Sequence, residues 1–141
     1  MNRPISLLIP FVTLILVGCG PSKVDQCNAL VDAGNKSQSG FVALEAAMLN
    51  PDSFQKRIDK IDEDAKGVSG VKLEDPKLVG FRDKYATGLT DYTKILKQMK
   101  PILKDEAKTD DVNKLIDQLN AISDKEGKLI DEINTYCSGS P

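Results

Sequence analysis

Apolar positions along this chain recur mostly at steps of three and four, the spacing that gathers side chains on one face of an α-helix. The first stripe takes in Cys27, Leu30, Val31, Gly34, Phe41, Leu44 and Met48 and predicts a helix from about Lys23 to Leu49. Ser22-x-x-Asp25 at its head resembles a capping box, with Pro21 just before it. Its middle, from Asn35 to Gly40, is made of weak helix formers, so a bend or fraying is expected there.

The second stripe is Phe54, Ile58, Ile61, Ala65 and Val68. Asn50-Pro51 supplies its start, with Asn as N-cap and Pro at the first helical position, and Gly67-Val68-Ser69-Gly70 its stop. Val71-Lys72-Leu73 is then a short extended connector whose apolar residues tuck under the next helix. Asp75-Pro76 repeats the start signal, and Leu78, Tyr85, Leu89, Tyr92, Leu96, Met99 and Leu103 mark a long third helix. Pro101 falls inside that stripe; it removes the bond to the carbonyl of Lys97 and should kink the helix or split it. Thr109, followed by Asp110 and Asp111, is expected to cap the fourth helix, whose stripe is Val112, Leu115, Leu119, Ile122, Leu129, Ile133 and Tyr136. Gly127 is a weak point within it. The tail from Ser138 to Pro141 has the composition of a disordered end.

No run alternates with period two for long enough to make a sheet. The pattern therefore predicts an all-α fold over residues 23–137, an antiparallel up-down-up-down bundle of about four helices with the long one kinked near Pro101. Three long helices with a broken second arm form the competing layout. In the four-helix arrangement the first helix begins where the fourth ends, which brings Cys27 and Cys137 to the same end of the bundle.

Residues 1–18 follow a different rule. Arg3 gives a short positive start, Ile5 to Val17 are mostly apolar, and Gly18 is small, the layout of a secretory signal. The stretch is short for a spanning helix, which needs about 20 apolar residues, and Pro10 interrupts it. It ends in Leu16-Val17-Gly18-Cys19, which resembles the lipobox of bacterial lipoproteins. The resemblance implies that Leu16, Val17 and Gly18 are read by the signal peptidase. Cys19 then becomes the first mature residue, carrying diacylglycerol on its thiol and usually an acyl chain such as palmitate on its amine. Residues 19–22 become a tether. Two or more chains hold a protein stably on a bilayer at about 0.8 kcal/mol per buried methylene. Gly20 after the cysteine, rather than Asp, implies the outer membrane in a Gram-negative host; the alternative is the outer face of the plasma membrane.

Cleavage before Cys19 would leave 123 of the 141 residues, enough for one domain. Loss of Arg3 leaves 18 basic against 21 acidic side chains, which argues against a nucleic-acid partner. The chain has no His, the commonest general base and metal ligand. In an oxidising compartment Cys27 and Cys137 suggest a disulfide; two separate buried thiols are the other reading.

Candidate chemistry is sparse. Asp62, Asp64 and Gly67 match three positions of a calcium loop, but Lys66 puts a cation where an oxygen ligand belongs and Leu73 stands where the bidentate Glu should be. The bland reading is a solvated helix end. Lys94, Lys97, Lys100, Lys104 and Lys108 fall within about 120° of one side of the third helix. Such a stripe could meet anionic lipid heads, peptidoglycan or an acidic partner, or be a plain solvent face. Tyr85, Tyr92 and Tyr136 lie on apolar stripes and are expected in the core. No catalytic motif, cofactor or metal is expected. The composite expectation is a membrane-anchored lipoprotein whose helical domain works by contact with an envelope protein or cell-wall partner. A carrier of an apolar ligand and an inhibitor of a secreted hydrolase are the alternatives.

Overall fold

The computed structural model describes residues 20–38, 50–103 and 105–139. The signal segment with Leu16, Val17, Gly18 and Cys19, the stripe residues Phe41, Leu44 and Met48, Lys104 and the last two residues lie outside that set. The described chain is all-α, with helices α1 (Lys23–Gln38), α2 (Pro51–Ser69), α3 (Pro76–Met99) and α4 (Thr109–Ser138), and one 3-10 turn (Glu106–Lys108).

Three helices begin where short polar side chains satisfy their first amides. At α1 the capping box is reciprocal: Asp25 N–H donates to Ser22 Oγ at 3.1 Å, and Ser22 N–H to Asp25 Oδ2 at 3.2 Å. Asn50 Oδ1 accepts from the amides of Asp52 and Ser53 ahead of α2, and Asp75 Oδ1 from those of Lys77 and Leu78 ahead of α3. The start of α4 differs from expectation. Its cap position is Lys108, whose side chain makes no cap bond, and Thr109 is already helical. Asp105 comes first: its side chain accepts from Ala107 N–H at 3.0 Å and opens the 3-10 turn, so the chain is coiling before it reaches Thr109.

Of the two outcomes open to Pro101, the helix splits. Its last bond runs from Lys100 N–H to Leu96 O at 3.0 Å, and residues 100–103 form a turn. Leu103 therefore lies outside α3, though it still packs on the core. Gly127 does not interrupt α4, and Ser138, placed in the tail by its composition, is the last helical residue.

The contacts fix the directions. Between α2 and α3, Asp62 meets Thr93 and Lys97 while Gln55 meets Lys100, an antiparallel register. Between α3 and α4, Phe81 meets Tyr136 and Gly88 faces Glu126, again antiparallel. Between α1 and α3, Gln26 reaches Asp75 and Ser37 reaches Tyr85, so these two run parallel. The result is up-down-up-down. Its core is Leu30 from α1, Phe54, Ile58, Ile61 and Val68 from α2, Leu78, Phe81, Leu89, Leu96 and Met99 from α3, and Leu119 and Ile133 from α4. Burial of each such side chain contributes about 1.5–3 kcal/mol, which is what holds the amphipathic faces together. Leu73 of the connector also packs on this core, and Arg82 pins the connector by donating to Val71 O at 3.0 Å.

Candidate functional site

The start of α1, the start of α3 and the end of α4 share one end of the bundle, and Gly20 enters there. Cys27 and Cys137 are joined across it with their Cα atoms 5.7 Å apart, closing a loop of 110 residues. The residue before Cys137, Tyr136, projects its ring edge-on to Phe81 with centroids 5.9 Å apart. The ammonium groups of Lys23 and Lys77 stand 3.9 and 4.5 Å from the Tyr136 ring centre, close enough for cation–π attraction.

Hydrogen bonds knit the same end. Gln26 is buried, its Oε1 accepts from the amides of Glu74 and Asp75 at 2.6 and 2.9 Å, and its Nε2 donates to Pro21 O at 3.0 Å. One side chain thus ties the entering segment, α1 and the α2–α3 connector. Tyr136 donates to Asp75 Oδ2. That bond, followed by those from the amides of Leu78 and Lys77 and the charge of Lys23, holds the Asp75 carboxyl below the usual range, and it pushes the Tyr136 phenol up. Val24 stands beside this knot with 65% of its surface exposed.

The lysine stripe lies toward the other end. Lys94 pairs with Asp91 on its own helix at 2.8 Å. Lys97 pairs with Asp62, and Lys100 donates to Gln55 Oε1, so both reach across to α2. Lys108 is not on α3, contrary to the expectation: the helix stops ahead of Pro101, and Lys108 lies in the 3-10 turn before α4, 3.8 Å from Asp111. The stripe is therefore partly neutralised and partly spent joining two helices. Burial pushes the Asp62 carboxyl up, but bonds and charge from Lys97 and the bond from Thr93 outweigh it, and it titrates below the usual range.

The calcium-like residues sit within α2 rather than in a loop. Asp62 turns to Thr93 and Lys97, and Asp64 to Lys60, so the two carboxylates serve different partners. Among the described residues no group of three acids, cysteines or histidines is gathered to hold a metal. Nor is any described helix long and apolar enough to cross a membrane.

Tyr85 and Tyr92 are in the core, whereas Tyr136 is only partly buried. Tyr85 shares a 2.7 Å hydrogen bond with Ser37 at a cavity of about 90 Å³ between α1, α3 and α4. An open groove of about 630 Å³ runs between α3 and α4 past Gly88 and Glu126. The periodicity alone did not single out Gln26, Asp75 as a two-sided acceptor, or Glu126. A signal existed for two of them: Gln26 precedes buried Leu30 by one turn, and Glu126 fills the step between Ile122 and Leu129.

No family model, curated protein or solved structure matches this chain.

Proposed function

We propose that this chain is a lipid-anchored envelope protein, held through Cys19, whose helical domain acts by contact with an envelope protein or cell-wall partner rather than by catalysis. The observation that carries the reading is the convergence at one end of the chain entry at Gly20, the disulfide and the Gln26 and Tyr136 bonds. A tether pulls on the residues that follow it, and here those residues are locked to three helices within one turn. Exposed Val24 and the ammonium of Lys23 at this end suit a bilayer interface, where apolar and cationic side chains are favoured together. A disulfide fits an exported chain.

The same polarity bears on the lysines. Lys94 follows Asp75 by 19 residues, so it lies roughly 28 Å along the helix from the tether end. Lys94, Lys97 and Lys100 would then face outward into the envelope, toward an acidic protein or polymer, rather than the headgroups of the protein's own membrane. A carrier role is less well supported, because the cavity between α1, α3 and α4, about 90 Å³, is well below the roughly 300–1,000 Å³ of small-molecule sites, and the larger space of about 630 Å³ between α3 and α4 is an open groove rather than a closed pocket.

The test is the intact mass of the protein extracted from its native membrane, with and without reduction, beside the Cys19→Ser variant. A chain beginning at Cys19 with added acyl mass, gaining about two daltons on reduction, is expected, together with release of the variant from the membrane. An unacylated chain, or one with another start, would overturn the anchor. Site-specific crosslinking from residues 94 and 100 in cells tests the contact role, and enzyme-like turnover by the purified protein would remove it.

A further inference from the structure

Leu119, Ile122, Leu129 and Ile133 of α4 pack on the core, and Glu126 occupies the step between the middle two. A carboxyl at such a position must find donors or give up its charge. Glu126 finds none for one oxygen: Oε1 is fully enclosed and has no hydrogen-bond partner. Gly88 on α3 makes the room. A Cβ at residue 88 would stand 2.1 Å from Oε1 and 3.1 Å from the carboxyl carbon, so the carboxyl fills the volume that any other side chain there would need. The recess borders the groove of about 630 Å³ between the two helices.

The charged neighbours line the groove and make no bond to the enclosed oxygen. From α3 they are Asp83, Lys84 and Asp91; from α4 itself they are Lys125, Lys128 and Glu132. Tyr85 and Tyr92 of α3 also feel this carboxyl: burial pushes both phenols up, and the charge of Glu126 adds to it. At the cavity α1 presents Leu30, Val31, Gly34 and Asn35 toward α4, none of which titrates. Among the described residues the backbone of α2 packs against α1 and α3 and not against α4, with Asp64 of α2 acting on the same Tyr85 phenol, and the 3-10 turn meets α4 with Lys108 near Asp111.

We propose that Glu126, seated against the α3 backbone at Gly88, is a proton-set latch between α3 and α4. Neutral, the carboxyl stays in the recess and lets the helices lie close. Ionised, it leaves for the groove, where water and the ammonium groups of Lys84, Lys125 and Lys128 solvate it, and the middle of α4 loosens from α3. Burial without a compensating donor pushes this carboxyl up to about 7, so the change falls in the neutral range. The native state then keeps a proton that an unfolded glutamate has given up, and stability declines as pH rises from the ordinary glutamate range to about 7.

The experiment is a carbon-13 NMR titration of the Glu126 carboxyl in the full chain, with amide exchange along α4 measured from about pH 5.5 to 8.5 and corrected for intrinsic rates. The expected midpoint is near 7 in the natural protein and near the ordinary 4.5 in Gly88→Ala, whose methyl evicts the carboxyl. Corrected exchange at residues 119–133 should rise several-fold with pH in the natural protein and stay level in Glu126→Gln. A midpoint near 4.5 in the natural protein, or an equal rise in Glu126→Gln, would overturn the latch. Should Gly88→Ala fail to fold, the comparison with Glu126→Gln decides alone.

Discussion

The phenol of Tyr136 donates to Oδ2 of Asp75 at 2.7 Å across 61 residues of chain, while Oδ1 of the same carboxylate caps α3. One acid therefore serves a helix start and an interhelical tie at once. The ionised form accepts all of these bonds, so its pKa is lowered in the folded state. Stability from a lowered carboxyl is present above its unfolded pKa and lost as pH falls through its native one. Tyr136→Phe should lower stability at neutral pH, narrow the difference between neutral and acid stability, and bring Asp75 back toward the ordinary carboxylate range. A carboxyl NMR titration reads the last point directly, and an unmoved Asp75 would contradict it.

Ser37 and Tyr85 are buried partners of unequal dependence. Ser37 Oγ also bonds Gly34 O at 2.7 Å, so it keeps a partner if the tyrosine loses its hydroxyl. Tyr85→Phe should therefore cost about 0.5–1.5 kcal/mol, a normal net hydrogen bond. Ser37→Ala takes away the bond to the buried phenol and should cost about 1–3 kcal/mol. Urea unfolding of both variants gives the order, and a larger loss for Tyr85→Phe would show the assignment reversed.

Gln26→Ala removes the acceptor of two backbone amides at once. A loss of about 1–3 kcal/mol is expected, since the connector amides are left with no protein acceptor in a part-buried site. Thermal unfolding measures it. Amide exchange at Glu74 and Asp75 should quicken in the variant, and unchanged exchange there would mean that water replaces the side chain without penalty.

The disulfide spans nearly the whole described chain, and its removal unties the start of α1 from the end of α4 at the one end of the bundle where they meet. Cys27→Ser with Cys137→Ser should lose about 2–5 kcal/mol, the usual effect for a long loop. Denaturant midpoints of the double variant and of the reduced protein should agree. If reduction changes nothing while the double variant falls, the loss comes from the serines in the core rather than from the bridge.

Several local features were legible in the sequence because they depend on neighbours a few residues apart. The caps at Ser22, Asn50 and Asp75 need only a short polar side chain ahead of a helical stripe, and all three form. Thr109 satisfied the same rule yet stands inside the helix, one residue past its cap position, because Asp105 begins the turn four residues earlier. Pro101 announced a break, but whether the chain would bend or stop depended on what lay beyond it. The lysine spacing was legible, whereas the partners of Lys97 and Lys100 on α2, Asp62 and Gln55, were not: helix periodicity gives the side of a helix and not its partner.

What the sequence by itself determined is the helical class, most of the boundaries and the apolar faces, since each follows from a 3.6-residue repeat and local hydrogen bonding. The tertiary structure alone decided the rest. It set Gln26 against the connector, gave Asp75 a second donor from Tyr136, and placed a glycine of α3 opposite the one acid in the stripe of α4. These are pairings between residues far apart in the chain, fixed by register and crossing of packed helices, and no local pattern carries that information.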